Sequence, residues 1–249
     1  MKQVFIILIA LSLNTAVKSQ KEVPWNLPRY DHKALRFGYS LGTNSMDFTI
    51  HFSDQMALSD SILSVQTHRL IGFNINIVSE VHLFKYLDLR FLPGLNFGQR
   101  NMEYVFYNEH ENTTERHTMY IESTHLDLPV LLKYSSARLN NYRLYLVGGG
   151  AFRYDWAAQK EIQDIEKPKI TLKPWDAYYE IGAGIDFFLE YFKFSIETKL
   201  SVGLNNIISS DNYESMIIRK MNSKIFFISL HFEGGKYYQG FKTLFFKNK

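Results

Sequence analysis

From Leu35 onward, apolar and polar side chains alternate with a period of two along most of the chain. Leu35, Phe37, Tyr39 and Leu41 share one face, and Arg36, Gly38, Ser40 and Gly42 share the other. A strict period of two marks a β-strand with two unlike faces. The phase changes near Thr43-Asn44, after which Met46, Phe48, Ile50 and Phe52 carry the apolar set, and a β-bulge is the expected cause. Residues 53–69 are polar and mixed and read as a loop. The second strand sets Ile71, Phe73, Ile75, Ile77, Val81 and Leu83 against Asn74, Asn76, Glu80 and His82. A tight turn at Lys85-Tyr86 leads to the third, where Leu87, Leu89, Phe91, Leu95 and Phe97 oppose Asp88, Arg90, Asn96 and Arg100.

A charged stretch, residues 108–117, precedes the fourth strand, which carries Leu126, Leu128, Val130, Leu132 and Tyr134 against His125, Asp127 and Lys133. A short polar connection, 135–141, leads to the fifth, where Leu144, Leu146, Phe152 and Tyr154 oppose Arg143, Tyr145, Arg153 and Asp155. After a long polar loop, 157–175, the sixth strand sets Tyr179, Ile181, Ala183, Ile185 and Phe187 against Glu180, Gly182, Gly184 and Asp186. A tight turn near Glu190-Tyr191 precedes the seventh, in which Phe194, Ile196, Thr198, Leu200, Val202 and Leu204 oppose Ser195, Glu197, Lys199 and Gly203. Residues 206–220 form another loop, and a last strand runs from about Met221 to Phe232.

The expected fold is therefore all-β, a transmembrane antiparallel up-and-down β-barrel of about eight strands of roughly 10 residues each. Its connections alternate long and short from the first to the last. Outer-membrane barrels have short periplasmic turns, long outer loops and an even strand count, so both termini are expected in the periplasm. The apolar face is rich in Phe, Leu and Ile, with Tyr39, Tyr86, Tyr134, Tyr154 and Tyr179 near strand ends, where interface girdles belong. The polar face mixes both charge signs with Gly and Ser, as a narrow packed lumen requires.

Composition sharpens this picture. Phe 20 and Tyr 16 stand against only 6 Pro, a bias toward strands. Met1 to Gln3 gives a positive start, Val4 to Leu13 an apolar run, and Val17 and Ser19 fit cleavage before Gln20. Residues 1–19 therefore read as a secretory signal peptide, the apolar run being too short for a spanning helix of roughly 20 residues. Residues 20–33 form a periplasmic N-terminal segment, 34–233 the barrel and 234–249 a tail. Pro24, Trp25 and Pro28 make the N-terminal segment irregular and suit it to wedging into the periplasmic mouth. With no cysteine, the chain holds no disulfide, no thiol nucleophile and no Cys-type zinc site. A formal charge of +3 gives no argument for a nucleic-acid partner; the expected partners are outer-membrane lipid and other envelope proteins.

The candidate functional residues are the inward ones: Arg36, Glu80, His82, Asp88, Arg90, Asp127, Lys133, Arg143, Arg153, Glu180, Asp186, Glu197 and Lys199. An eight-stranded interior is just wide enough for side chains to fill, so these charges are expected to pair as a salt-bridged plug rather than a conducting pore. No enzyme, metal or cofactor is expected. The histidines are scattered without ligand spacing, no Gly-x-Ser-x-Gly elbow is present, and Gly148-Gly149-Gly150 lacks the spacing of a phosphate cradle. The tail mixes cations with Tyr237, Tyr238, Phe241 and Phe245, and suits a partner-docking segment, an interfacial anchor or a further strand.

Three strings carry a family resemblance. Leu126-Asp-Leu-Pro-Val-Leu-Leu-Lys-Tyr134, Glu180-Ile-Gly-Ala-Gly-Ile-Asp186 and Glu197-Thr-Lys-Leu-Ser-Val-Gly-Leu-Asn-Asn206 resemble strand motifs of small outer-membrane barrels of the Bacteroidetes. In the third, Lys199-Leu200 stands where Arg-Tyr is commoner. Within that group the length and the Asn-rich second strand look most like the PorT family, an outer-membrane component of the type IX secretion system. The resemblance implies a non-enzymatic part in protein secretion, by assembly or partner binding. The alternative is a free-standing small barrel that is structural, adhesive, porin-like with a narrow pore, or lipid-modifying.

Overall fold

The structure, a computed structural model, describes residues 24–53, 62–108, 113–157, 172–208 and 218–234. The signal-peptide and tail assignments, including Tyr237, Tyr238, Phe241 and Phe245, lie outside the described residues. Among the described residues ten strands form one antiparallel sheet: β1 Leu35–Phe52, β2 Ile62–Arg69, β3 Ile71–Phe84, β4 Leu87–Phe91, β5 Gly94–Asn108, β6 Thr113–Ser135, β7 Tyr142–Asp155, β8 Trp175–Phe188, β9 Phe192–Gly203 and β10 Ile218–Gly234. β2 and β3 are one stave interrupted at Leu70, and β4 and β5 one interrupted at Leu92-Pro93. Across the second break the ladder persists through Ile77 N–H to the Pro93 carbonyl and Leu92 N–H to the Pro129 carbonyl. The staves follow one another around the wall, and β1 pairs with both β10 and β3, so eight staves close a ring.

Closure pairs the strand edges along the belt, the condition for crossing lipid with strands. The outer wall around the middle is apolar: Phe37, Leu41, Phe73, Ile77, Leu132, Leu146, Ile181, Ile196 and Ile228 are all exposed. At the end with short turns, exposed Tyr86, Tyr134, Tyr142 and Tyr191 rim this belt; Trp156 and Trp175 do so at the end with long loops.

At the phase change on β1 the structure departs from the sequence reading. No bulge lies at Thr43-Asn44; the β1–β10 register runs unbroken from Gly38↔Glu233 to His51↔Lys220. The backbone keeps its phase and the surroundings change. Below Thr43 the apolar side chains face lipid, whereas Met46 and Phe48 point inward and are buried. The same exchange occurs on β5, where Leu95 and Phe97 face outward but Met102 and Tyr104 inward, and on β6, where Leu126 to Tyr134 give way to inward Met119 and Ile121. At the long-loop end β1, β2, β5, β6 and β10 thus project beyond the belt as a wall that is apolar inside and polar outside, like a soluble barrel.

Residues 62–69, read as loop, are strand β2, and β6 begins thirteen residues before Leu126 and runs for 23 residues. Both differences arise in the projecting wall, where short polar stretches face water and the alternation is weak. Phe48, Val65, Met102, Tyr104, Met119, Ile121, Ile218 and Met221 pack into one cluster there. Leu172, Ile207 and Ile208, from the two long connections, close over it, tied by the Leu172↔Ile208 bridge. We call this the cap. Above Ser45, β1 and β2 part company; β2 pairs only with β5, and the Thr67 hydroxyl donates to Asp47 Oδ1 across the gap at 2.8 Å.

The two media predict opposite effects of position. Ile77→Arg, in the belt, should oppose insertion by about 2–4 kcal/mol, whereas Met221→Ala, in the cap, should cost about 2–5 kcal/mol without blocking insertion. Urea titration of vesicle-inserted protein, with protease protection as a separate measure of insertion, distinguishes them.

Candidate functional site

The inward side chains fill the lumen in tiers. Nearest the short-turn end, Arg36 Nη1 donates to Glu80 Oε1 at 2.7 Å and to Asp88 Oδ2 at 3.0 Å. Arg90 donates to Glu80 Oε2 at 2.9 Å and, across the barrel from β4 to β9, to Glu197 Oε2 at 2.7 Å. Lys133 on β6 reaches past β7 to Asp186 on β8 at 2.9 Å, and Arg143 joins the same carboxylate at 3.2 Å. The Ser195 hydroxyl donates to Asp186 Oδ1 at 2.6 Å, and the Tyr145 hydroxyl to Glu197 Oε2 at 2.9 Å. His82 lies at the rim, half-open to solvent, with Nδ1 at 2.6 Å from Asp88 Oδ1.

A second tier stands above. Arg153 holds Asp127 with two parallel hydrogen bonds, Nε to Oδ1 at 2.8 Å and Nη2 to Oδ2 at 3.1 Å, and also contacts Glu180. Lys199 Nζ lies 2.6 Å from Glu180 Oε2. Bidentate arginine–carboxylate pairs are the geometry best able to offset desolvation of two ions. Arg100 marks the border with the cap: it is buried, donates to the Ser123 and Ser223 hydroxyls at 2.6 and 3.0 Å, and lies 3.9 Å from the Phe48 ring centre.

The structure thus brings the thirteen predicted inward residues into one lumen and shows partners that sequence reasoning missed. Lys193 binds Glu233 Oε1 at 2.8 Å, and both are fully buried. Lys193 continues the inward parity of Ser195 and Glu197 by one step; Glu233 lies one residue beyond Phe232, where the sequence pattern ends the last strand. Tyr145 was visible on the polar face, but its role depends on Gly184: a Cβ there would lie 2.4 Å from the Tyr145 ring, so the glycine makes room for it.

The short-turn mouth is crossed by residues 24–33. Asn26 N–H donates to Asn141 Oδ1 at 2.9 Å, and its Nδ2 to the Phe188 carbonyl at 3.1 Å. Arg138, in the β6–β7 turn, hydrogen-bonds the Asn26 carbonyl. The residue inserted into the lumen is Tyr30, 1% exposed, and not Trp25, which stays at the surface stacked near Arg138. Tyr30 meets Phe188 edge-on and donates its hydroxyl to Glu233 Oε2 at 2.5 Å. Burial, with the Glu233 carboxylate beside it, holds that hydroxyl well above the usual tyrosine value, so it remains a neutral donor.

A closed ring of eight staves with an apolar belt and a charged, filled interior is the geometry of a small outer-membrane barrel, and residues 19–209 match the family described as "Outer membrane protein beta-barrel domain". The chain belongs to this family. Its similarity to solved structures is distant. OprG from Pseudomonas aeruginosa is 10% identical, with 80% of this chain and 93% of that one covered and a TM-score of 0.42. Neisserial surface protein A is 7% identical, with 79% and 96% covered and a TM-score of 0.40. Ail of Yersinia pestis is 10% identical, with 81% and 99% covered and a TM-score of 0.37. No curated protein is significantly similar to the chain.

Breaking the network on one side should be costly. Arg90→Met leaves Glu197 without its arginine and should destabilise the inserted barrel by about 3–5 kcal/mol. Adding Glu197→Gln should recover part of that loss, as measured by urea titration of the single and combined variants.

Proposed function

We propose that the protein is a non-enzymatic, non-conducting outer-membrane barrel that works by presenting its ends to other envelope molecules. The observation that carries this reading is the filled lumen: two tiers of ion pairs, with Tyr30 beneath and the apolar cap above. An eight-stranded interior has no width to spare beyond its side chains, so a folded or extended polypeptide has no path through it. The even number of staves and the short–long rhythm of connections support an orientation with both termini periplasmic and the cap outside. The cap is then a platform whose polar outer face, with His68, Glu103 and Arg116 in contact, meets whatever the cell surface encounters.

A finer reading, a PorT-like component of type IX secretion, rests on the three strings in the sequence. Pull-down of tagged, mildly extracted protein followed by mass spectrometry separates the two readings. Co-purifying export components, together with loss of surface cargo in a deletion strain, support the secretion reading; a barrel recovered alone and unaltered cargo delivery support the free-standing one.

The non-conducting claim is tested in planar bilayers. The intact protein should give no resolved current steps. Steady ion conductance from the intact protein would defeat the reading, and Tyr30→Ala should raise conductance at most to brief flickers, because the ion-pair tiers remain.

A further inference from the structure

We infer that residues 24–33 are a latch that fastens the barrel's unconnected seam, the junction of β1 with β10. Every other pair of neighbouring staves is joined by a turn or a long connection, whereas the first and last staves are joined by none. An opened seam would expose two rows of unpaired backbone groups, so fraying there is what the fold must resist. At the short-turn end the seam's ladder starts at Gly38↔Glu233, and Glu233 is therefore its terminal rung. The Tyr30 hydroxyl binds this rung at Glu233 Oε2, while Lys193 on β9 holds Oε1. Gly38 leaves space for the arrangement, because a Cβ there would lie 2.9 Å from Glu233 Cγ.

The other end of the latch is fixed to the opposite wall. Four staves separate the seam from the β6–β7 junction in either direction around the ring. The β6–β7 turn holds the strap at three points. Asn26 N–H donates to Asn141 Oδ1 at 2.9 Å, Asn141 Nδ2 donates to the Pro24 carbonyl at 3.1 Å, and Arg138 donates to the Asn26 carbonyl. The Arg138 guanidinium lies 3.8 Å from the Phe188 ring centre and 5.0 Å from that of Trp25. Between the anchors Leu27 turns the chain at φ 51°, a left-handed conformation that a leucine keeps only when its surroundings hold it. Asp31 then meets Arg143 of β7 at 3.0 Å. The strap runs directly into β1, where the Ala34 carbonyl accepts from the His82 amide. It thus ties β1 to β10 at one end and both to the far wall at the other, in place of the turn the seam lacks. Strap and seam are released together, so whatever displaces the strap at the short-turn end loosens the wall.

The test is amide hydrogen exchange read by mass spectrometry on the full mature protein in phosphatidylcholine nanodiscs. Tyr30→Phe keeps the ring and removes the hydroxyl; Asn26→Ala loosens the far anchor. Tyr30→Phe should speed exchange of the seam amides, residues 39–43 and 228–232, by about tenfold or more, the worth of a hydrogen bond to a carboxylate. Asn26→Ala should act in the same direction. The β7–β8 rungs, residues 144–148 and 181–185, should exchange as in the wild type in both variants. Equal acceleration at the two junctions, or none at the seam, overturns the inference. Since the chain has no cysteine, Leu41→Cys with Leu230→Cys, which pair in register, places a single disulfide across the seam. That cross-link should abolish the effect of Tyr30→Phe, and an effect that survives it overturns the latch. Should Tyr30→Phe fail to fold, Asn26→Ala at the half-buried rim decides by the same comparison of the two junctions.

Discussion

The interior of an eight-stranded barrel has no room for anything but its own side chains, and no solvent to ionise them in. That constraint governs the rest of the structure. Outside is lipid, so the wall must be apolar; inside, every charge needs a partner across a few ångströms. The pairs that result do not merely neutralise one another. Arg90 joins β4 to β9 and Lys133 joins β6 to β8, so staves that share no hydrogen-bond ladder are tied through the middle. Removing one ion leaves its partner buried and alone, which is why the tiers act as a unit rather than as a sum of bridges.

Along the barrel axis the medium changes while the backbone does not. In the belt the inside is polar because the outside is hydrocarbon. Beyond it the outside is water, and the inside becomes apolar for the same reason. Arg100 sits where the two regimes meet, with hydroxyls of Ser123 and Ser223 on its nitrogens and the Phe48 ring against its face. The cap therefore adds hydrophobic burial that a membrane barrel otherwise lacks, because helices and strands gain nothing from apolar contact with lipid. It also seals the lumen at the long-loop end, as Tyr30 does at the other.

This exchange explains what the sequence could and could not disclose. Strand number, the tight turns at Lys85-Tyr86 and Glu190-Tyr191, and the inward parity of Arg36, Glu80 and Asp186 were legible, since a period of two records the difference between faces. It does not record which face is wet. On β1 the apolar set moves from Leu35–Leu41 to Met46–Phe52, and a slipped backbone and a changed medium leave the same trace. Ile62–Arg69 was missed because a strand in water with one edge unpaired has little need of strong alternation. Tyr30 does not stand out in the sequence because which aromatic of the segment enters the mouth is decided by a distant carboxylate, Glu233, 203 residues along the chain.

The family motifs gain a physical meaning from the same network. Leu126–Tyr134 supplies Asp127 and Lys133; Glu180–Asp186 supplies both of its terminal acids; Glu197–Asn206 supplies Glu197 and Lys199. Each charged position in these strings is a member of a lumen ion pair. Residues held in place by the packing of a narrow barrel would recur in any barrel that packs its lumen in this way, whatever it does for the cell. The strings therefore speak to how the barrel is filled and carry little about partners. Specific function is left to the parts the network does not constrain, such as the cap's outer face.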